Sequence, residues 1–190
     1  MMMRSWIAAV LGAALMLAGC NPYMAAIGAV SQTYNVATDE RSLSTQASDE
    51  KIEAHIQANL LASPVPGTDS LTTYVRQGVV VFAGVVPRGS AAGRAAVDIA
   101  RAEPGVRRVE TFFVTSEPSK AGDIELEAEV KEVLVADPNV VAGRVDINVF
   151  AGHVILVGVV SSAEQAQRFV DDAYSVQGVA SVRSYIQVEQ

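Results

Sequence analysis

The sequence predicts an α+β protein of two tandem domains. Each has the element order α-β-β-α-β, with two helices packed on one face of a three-stranded mixed sheet. Two observations carry this. The phrase GVVVFAGVV at Gly78–Val86 returns as GHVILVGVV at Gly152–Val160, seventy-four residues later and with both glycines kept. A repeat at a fixed offset marks a duplicated structural unit. Around each copy the apolar residues pass through the same succession of spacings, from helical to alternating and back.

The first element of each copy is a helix. DEKIEAHIQANLL, from Asp49, puts Ile52, Ile56 and Leu60 on one stripe, and DIELEAEVKEVLV, from Asp123, does the same with Leu126, Val130, Val133 and Leu134. Each segment opens on an aspartate, a favoured N-cap residue, and stops near a proline, Pro64 or Pro138. Alternation follows at Leu71, Thr73 and Val75, and again at Val145, Ile147 and Val149, the period of a half-buried strand. Gly78 and Gly152 turn the chain into the repeated phrase, a more continuously apolar strand and hence the central one. Gly84 and Gly158 interrupt it at matching places, which predicts a bulge or a close approach to the helix above.

The second helix is clearest in the second copy, where Ser161 precedes Glu164 at capping-box spacing and Ala166, Phe169, Val170 and Ala173 share a face. Its counterpart, about Ala91 to Ala102, carries Gly93 inside it. A last strand runs through Val109 and Phe113, or Val182, Ile186 and Val188. The helical crossover makes it parallel to the central strand, so each sheet is mixed. The expected boundaries are a leader at 1–19, an N-terminal tether at 20–47, a first domain at 48–117, a linker at 118–122 and a second domain at 123–190.

The N-terminus has a basic start at Arg4 and an apolar run from Trp6 to Ala18, too short to span a bilayer. It ends in Leu17-Ala18-Gly19-Cys20, which resembles the lipobox of bacterial lipoproteins and implies an acyl anchor on Cys20, the one cysteine of the chain. An ordinary leader with an incidental cysteine is the alternative, and Met1, Met2 and Met3 are all candidate starts. Asn21, rather than Asp, follows the cysteine, which by the same resemblance implies the outer membrane, facing the periplasm. The tether would keep the first domain within roughly 25 to 30 Å of its anchor. A short interfacial helix at Met24–Val30 is the other reading of that stretch.

The element order, the G-x-V-x-x-x-G-x-V spacing of Gly78, Val80, Gly84, Val86 and of Gly152, Val154, Gly158, Val160, and the closing Gly105-Val106-Val109 and Gly178-Val179-Val182 resemble BON domains. Two of them behind a lipobox are similar to the dual-BON outer-membrane lipoproteins of Gram-negative bacteria. The resemblance implies modules that bind phospholipid or envelope components and support outer-membrane integrity, without catalysis. It also implies anionic-phospholipid binding through the first helix of the second domain, here Asp123 to Ala136. Lipid-binding relatives present an exposed aromatic near the start of that helix, where this chain has Glu125. Contact candidates on it are Glu125, Val130 and Val135.

Charge points elsewhere. Residues 48–117 hold 7 basic and 8 acidic groups, against 4 and 11 in residues 121–190. Arg94 and Arg101 share a helix face, and Arg107 and Arg108 lie just beyond it, so an anionic surface is expected to favour the first copy. The alternative function is a protein-protein adaptor or stress protein whose acidic second domain docks a basic partner. A net charge of −7 weighs against nucleic acid. His55 and His153 offer no metal-ligand spacing, no nucleophile elbow or phosphate loop occurs, and no cofactor beyond the acyl lipid is expected. Tyr74 and Phe150 fall off the core phase of their strands and are candidates for exposed contacts, and His153 is expected at a solvent-facing turn.

Overall fold

A computed structural model of the chain describes residues 42–115 and 120–189. The leader, Cys20, residues 20–41 of the expected tether and residues 118–119 of the expected linker lie outside them; of the described remainder, Leu43–Ala47 opens one helix and Lys120–Gly122 another. The first domain holds α1 (Leu43–Ala62), β1 (Thr72–Arg76), β2 (Val79–Val85), α2 (Ala92–Ala102) and β3 (Arg108–Val114). The second holds α3 (Lys120–Ala136), a 3-10 turn (Ala142–Arg144), β4 (Val145–Phe150), β5 (His153–Val160), α4 (Ala163–Ser175) and β6 (Ser181–Val188).

The repeated phrase is the central strand of both sheets. β2 pairs antiparallel with β1, Thr72 opposite Ala83, and parallel with β3, Val79 opposite Arg108. β5 stands in the same relation to β4 and β6. The helices cover one face of each sheet. Ile52, Ile56 and Leu60 of α1 and Ala96 and Ala100 of α2 close over Val75, Val80 and Phe82. Val130, Leu134, Phe169 and Ala173 close over Val149, Val154 and Leu156.

Both first helices begin ahead of their aspartates, which are therefore not N-caps. α1 starts at Leu43 because Ser42 accepts the Thr45 N–H at 3.2 Å and no breaker intervenes before Asp49. α3 starts at Lys120. The cap of α4 is Ser162, not Ser161, since its hydroxyl accepts the Gln165 N–H at 3.2 Å.

The two glycines inside the central strands make room for the neighbouring strand, not for a helix. A Cβ on Gly158 would lie 2.3 Å from the Arg144 carbonyl oxygen, and one on Gly84 would lie 3.2 Å from Leu71 Cδ2. Gly93 has a packing reason too, since a Cβ there would meet the Phe113 ring at 2.7 Å.

The sheet faces turned away from the helices pack on each other, giving a helix-sheet-sheet-helix arrangement. Tyr74, Val81 and Ala83 from one sheet meet Ile155 and Val157 from the other, with Phe112, Phe150 and Tyr185 at the margin. Tyr74 and Phe150 are thus interface residues, not exposed contacts: the apolar off-phase positions of each strand are what the other sheet covers. Polar groups tie the margin. Asn148 donates to the Tyr74 hydroxyl, Arg76 pairs with Asp146, the Tyr185 hydroxyl donates to the Thr111 carbonyl at 3.0 Å, and Gln187 donates to the Arg76 carbonyl at 2.9 Å. His153 belongs here as well. It is half-buried, bonded to Ser181 Oγ at 2.7 Å and edge-on to Phe112 at 6.3 Å.

Candidate functional site

The helix the sequence singles out, α3, is docked near its start and closed by a local turn at its end. Near its start Asp123 accepts the backbone N–H groups of Ala151 and Gly152 at 2.8 and 3.0 Å, docking the helix onto the β4–β5 turn. Just past its end Asp137 accepts from the Asn139 backbone and side chain. With Leu126, Val130, Val133 and Leu134 turned to the core, the rotation of the helix is set.

That rotation exposes a second apolar stripe. Ile124, Ala128, Lys131 and Val135 follow one another at i, i+4, i+7 and i+11, so they line one outer face. Ile124 is 70% exposed and Val135 73%, although both are large aliphatic residues. Lys131 turns aside to pair with Glu127 at 2.6 Å, which neutralises one carboxylate and leaves the lysine stem along the stripe. Glu125, Glu129 and Glu132 form an exposed band on the other flank. The first copy supplies an internal comparison: the matching positions on α1 are Glu50, Ala54, Gln57 and Leu61, so its outer face is polar for most of its length.

At its N-terminal end the stripe runs into a cleft of about 710 Å³ between the two domains. Ile124, Val149 and Phe150 form one wall, and Pro66, Val85 and Pro87 part of the other. No helix among the described residues is long and apolar enough to cross a membrane.

The sequence candidates fall in different places. Val135 is on the stripe and Glu125 beside it. Val130 is not available, since it is 0% exposed in the core, where its place in the helical repeat with Leu126 and Leu134 puts it. Arg94, Arg101, Arg107 and Arg108 are all exposed, in the first domain. Arg107 donates to the Gln77 carbonyl at 3.3 Å, and Arg108 is paired with Glu110 at 3.1 Å. Cys20 lies outside the described residues. Ile124 was missed by sequence reasoning. Its signal was an aliphatic residue on the side of the helix opposite Leu126, Val130 and Leu134, legible once the two copies are set side by side.

The BON domain family matches residues 48–116 and 122–190. Over 181 residues, 93% of this chain and 92% of the relative, the sequence is 29% identical to the outer membrane lipoprotein DolP of Haemophilus influenzae. Among solved structures, the C-terminal domain of CdsD, the structural protein of the type III secretion system of Chlamydia trachomatis, overlaps with 13% identity and a TM-score of 0.31. That overlap covers 75% of this chain and 67% of the other. The outer-membrane lipoprotein localisation expected from Leu17–Cys20 and Asn21 is supported by the likeness to DolP across nearly the whole length. The chain belongs to the BON-domain family and carries two copies of the domain in tandem.

Proposed function

We propose that this outer-membrane lipoprotein supports envelope integrity as a non-catalytic module that contacts phospholipid through the outer stripe of α3. The observation that carries the reading is the exposure of Ile124 and Val135 on one face of a helix whose other face is already in the core. Aliphatic side chains on an amphipathic surface helix gain by entering the interfacial zone of a bilayer, while the flanking carboxylates stay in water. The contact is therefore apolar and shallow. Anchorage at Cys20 keeps the modules near the leaflet and raises their effective concentration there, so a weak contact becomes occupied.

The test is co-sedimentation of the compact unit Thr38–Gln190 with vesicles containing phosphatidylethanolamine and phosphatidylglycerol, beside an Ile124→Glu/Val135→Glu variant. The expected result is binding by the parent and its loss in the variant. Equal binding by both would remove the stripe from the account.

A second reading rests on Glu125, Glu129 and Glu132, whose exposed band suits a basic protein partner. It predicts no vesicle binding by the unanchored unit, and capture of the partner that Glu125→Lys/Glu129→Lys abolishes.

A further inference from the structure

We propose that the cleft between the domains is an acyl-chain site, which takes one hydrocarbon chain of a membrane lipid entering over Ile124. This rests on the reading that the α3 stripe meets lipid, and it names what the stripe leads to. Ile124 lines both the stripe and the cleft, so the exposed apolar path does not end at the helix but continues inward between Phe150 and Val85. A volume of about 710 Å³ is within the range of small-molecule sites and well beyond what one side chain would fill.

The polar groups at the cleft select which part of a lipid enters. Asp123 and Glu127 stand on the same wall as Ile124. Asp123 is committed to two backbone N–H groups and Glu127 to Lys131. Neither carboxylate is free to coordinate a cationic group, and Asp123, whose partners in these bonds are uncharged N–H groups, repels a phosphate. The headgroup is held outside and the hydrocarbon is the part that fits. For the protein, occupation covers apolar wall that otherwise faces water. For the chain, leaving the bilayer exchanges one apolar environment for another, so filling the cleft carries little opposing cost.

The geometry also separates this site from plain surface contact. Position 135 lies eleven residues along α3 from Ile124, at the far end of the stripe and away from the cleft, whereas Phe150 is inside it. A chain that only brushes the helix reaches the first and not the second.

The test uses the full-length lipoprotein, reconstituted through its own anchor into vesicles that carry phosphatidylcholine brominated along its acyl chains. The one tryptophan of the sequence, Trp6, lies in the leader, so an indole placed by substitution reports alone. Val135→Trp and Phe150→Trp are compared, with Val85→Trp as a second cleft reporter should Phe150→Trp lose its cooperative unfolding. The expected result is loss of emission at both positions, with the loss at 150 relieved by Ser90→Phe, which narrows the cleft, and the loss at 135 unchanged. Quenching at 135 with none at 150 or 85 overturns the acyl-chain site and leaves the stripe as the lipid contact. Quenching at none of the three overturns both.

Discussion

Asp49 and Asp123 occupy equivalent positions in the two copies and do the same work: each lies inside the first helix of its domain and clamps the hairpin turn beneath it. Asp49 accepts the N–H groups of Gln77 and Gly78 at 2.7 and 2.8 Å, as Asp123 does those of Ala151 and Gly152. Asp49 is 3% exposed, so without its carboxylate two backbone donors are stranded where water has little access. Asp49→Ala is expected to cost about 3 kcal/mol, on the scale of hydrogen bonds to a charged group plus unsatisfied donors. Asp49→Asn recovers only part, because an amide offers one acceptor oxygen where two are used. Urea unfolding of the Thr38–Gln190 unit checks this, and an Asp49→Ala midpoint equal to the parent's would contradict it.

The turns held by these aspartates have left-handed backbone at both central residues: Gln77 at φ 50° with Gly78 at 71°, and Ala151 at φ 53° with Gly152 at 78°. This is the type I′ hairpin geometry, in which Asn-Gly is preferred, and alanine in the left-handed region is strained. Ala151→Asn is therefore expected to stabilise the second domain by about 0.5 to 1 kcal/mol. The readout is a rise in unfolding midpoint with no change in m-value.

Much of this arrangement was legible in the sequence because duplication doubles the evidence. Ile52, Ile56 and Leu60 agree with Leu126, Val130 and Leu134, and the β2 and β5 phrases share five of nine letters, both glycines among them. What was not legible is what one copy does to the other. Tyr74 and Phe150 are out of phase with their own domain's core, which in one domain taken alone means exposure, and only the second sheet explains them. Asp49 and Asp123 opened a helical pattern and so suggested caps. A cap and a tertiary clamp are the same residue type at nearly the same place, and sequence cannot tell whether the N–H groups it binds are near or twenty-eight residues away.

Burial in that interface pushes the Tyr74 phenol well above its ordinary value of 10.0, with the charge of Asp146 adding to the effect. A folded-state pKa above the unfolded one means that the contribution to stability is complete below pH 10 and is lost as pH rises beyond it. The parent should show an alkaline decline that Tyr74→Phe reduces, against some cost at neutral pH from the lost Asn148 bond. Thermal unfolding of the two proteins from pH 8 to 11 measures the difference. Parallel curves would mean that Tyr74 ionises in the fold without penalty.

Asp137 and Asp172 show opposite shifts at the far end of the second domain. The Asn139 backbone N–H holds Asp137 below the usual carboxylate value, while Asp172 is raised by burial and then by the charge of Asp137. One oxygen of Asp172, Oδ2, is enclosed without a hydrogen-bond partner among the described residues. A raised carboxylate favours the fold while protonated and works against it once pH passes the folded-state pKa. Asp172→Asn should thus stabilise the protein at pH 7, with the gain shrinking as pH falls through the raised folded-state value and gone once it is below the ordinary value of 3.8. A loss of stability at pH 7 would show that the charge on Asp172 is favourable.

The two copies also make opposite predictions about how lipid is held. If Arg94, Arg101 and Arg107 carried an anionic surface, each would be worth about 1 kcal/mol, and replacing all three by alanine would weaken binding on the order of a hundredfold. An apolar contact through Ile124 and Val135 predicts that the triple variant keeps its affinity within about twofold, and that raising the salt from 0.1 to about 0.5 M changes little, since screening acts on charge pairs and not on buried hydrocarbon. Leu61→Glu, on the matching face of α1, should be silent in the same assay, whereas Ile124→Glu should not. Vesicle titrations at the two salt concentrations separate these cases, because a steep salt dependence together with sensitivity to the arginines would move the contact from α3 to the first domain.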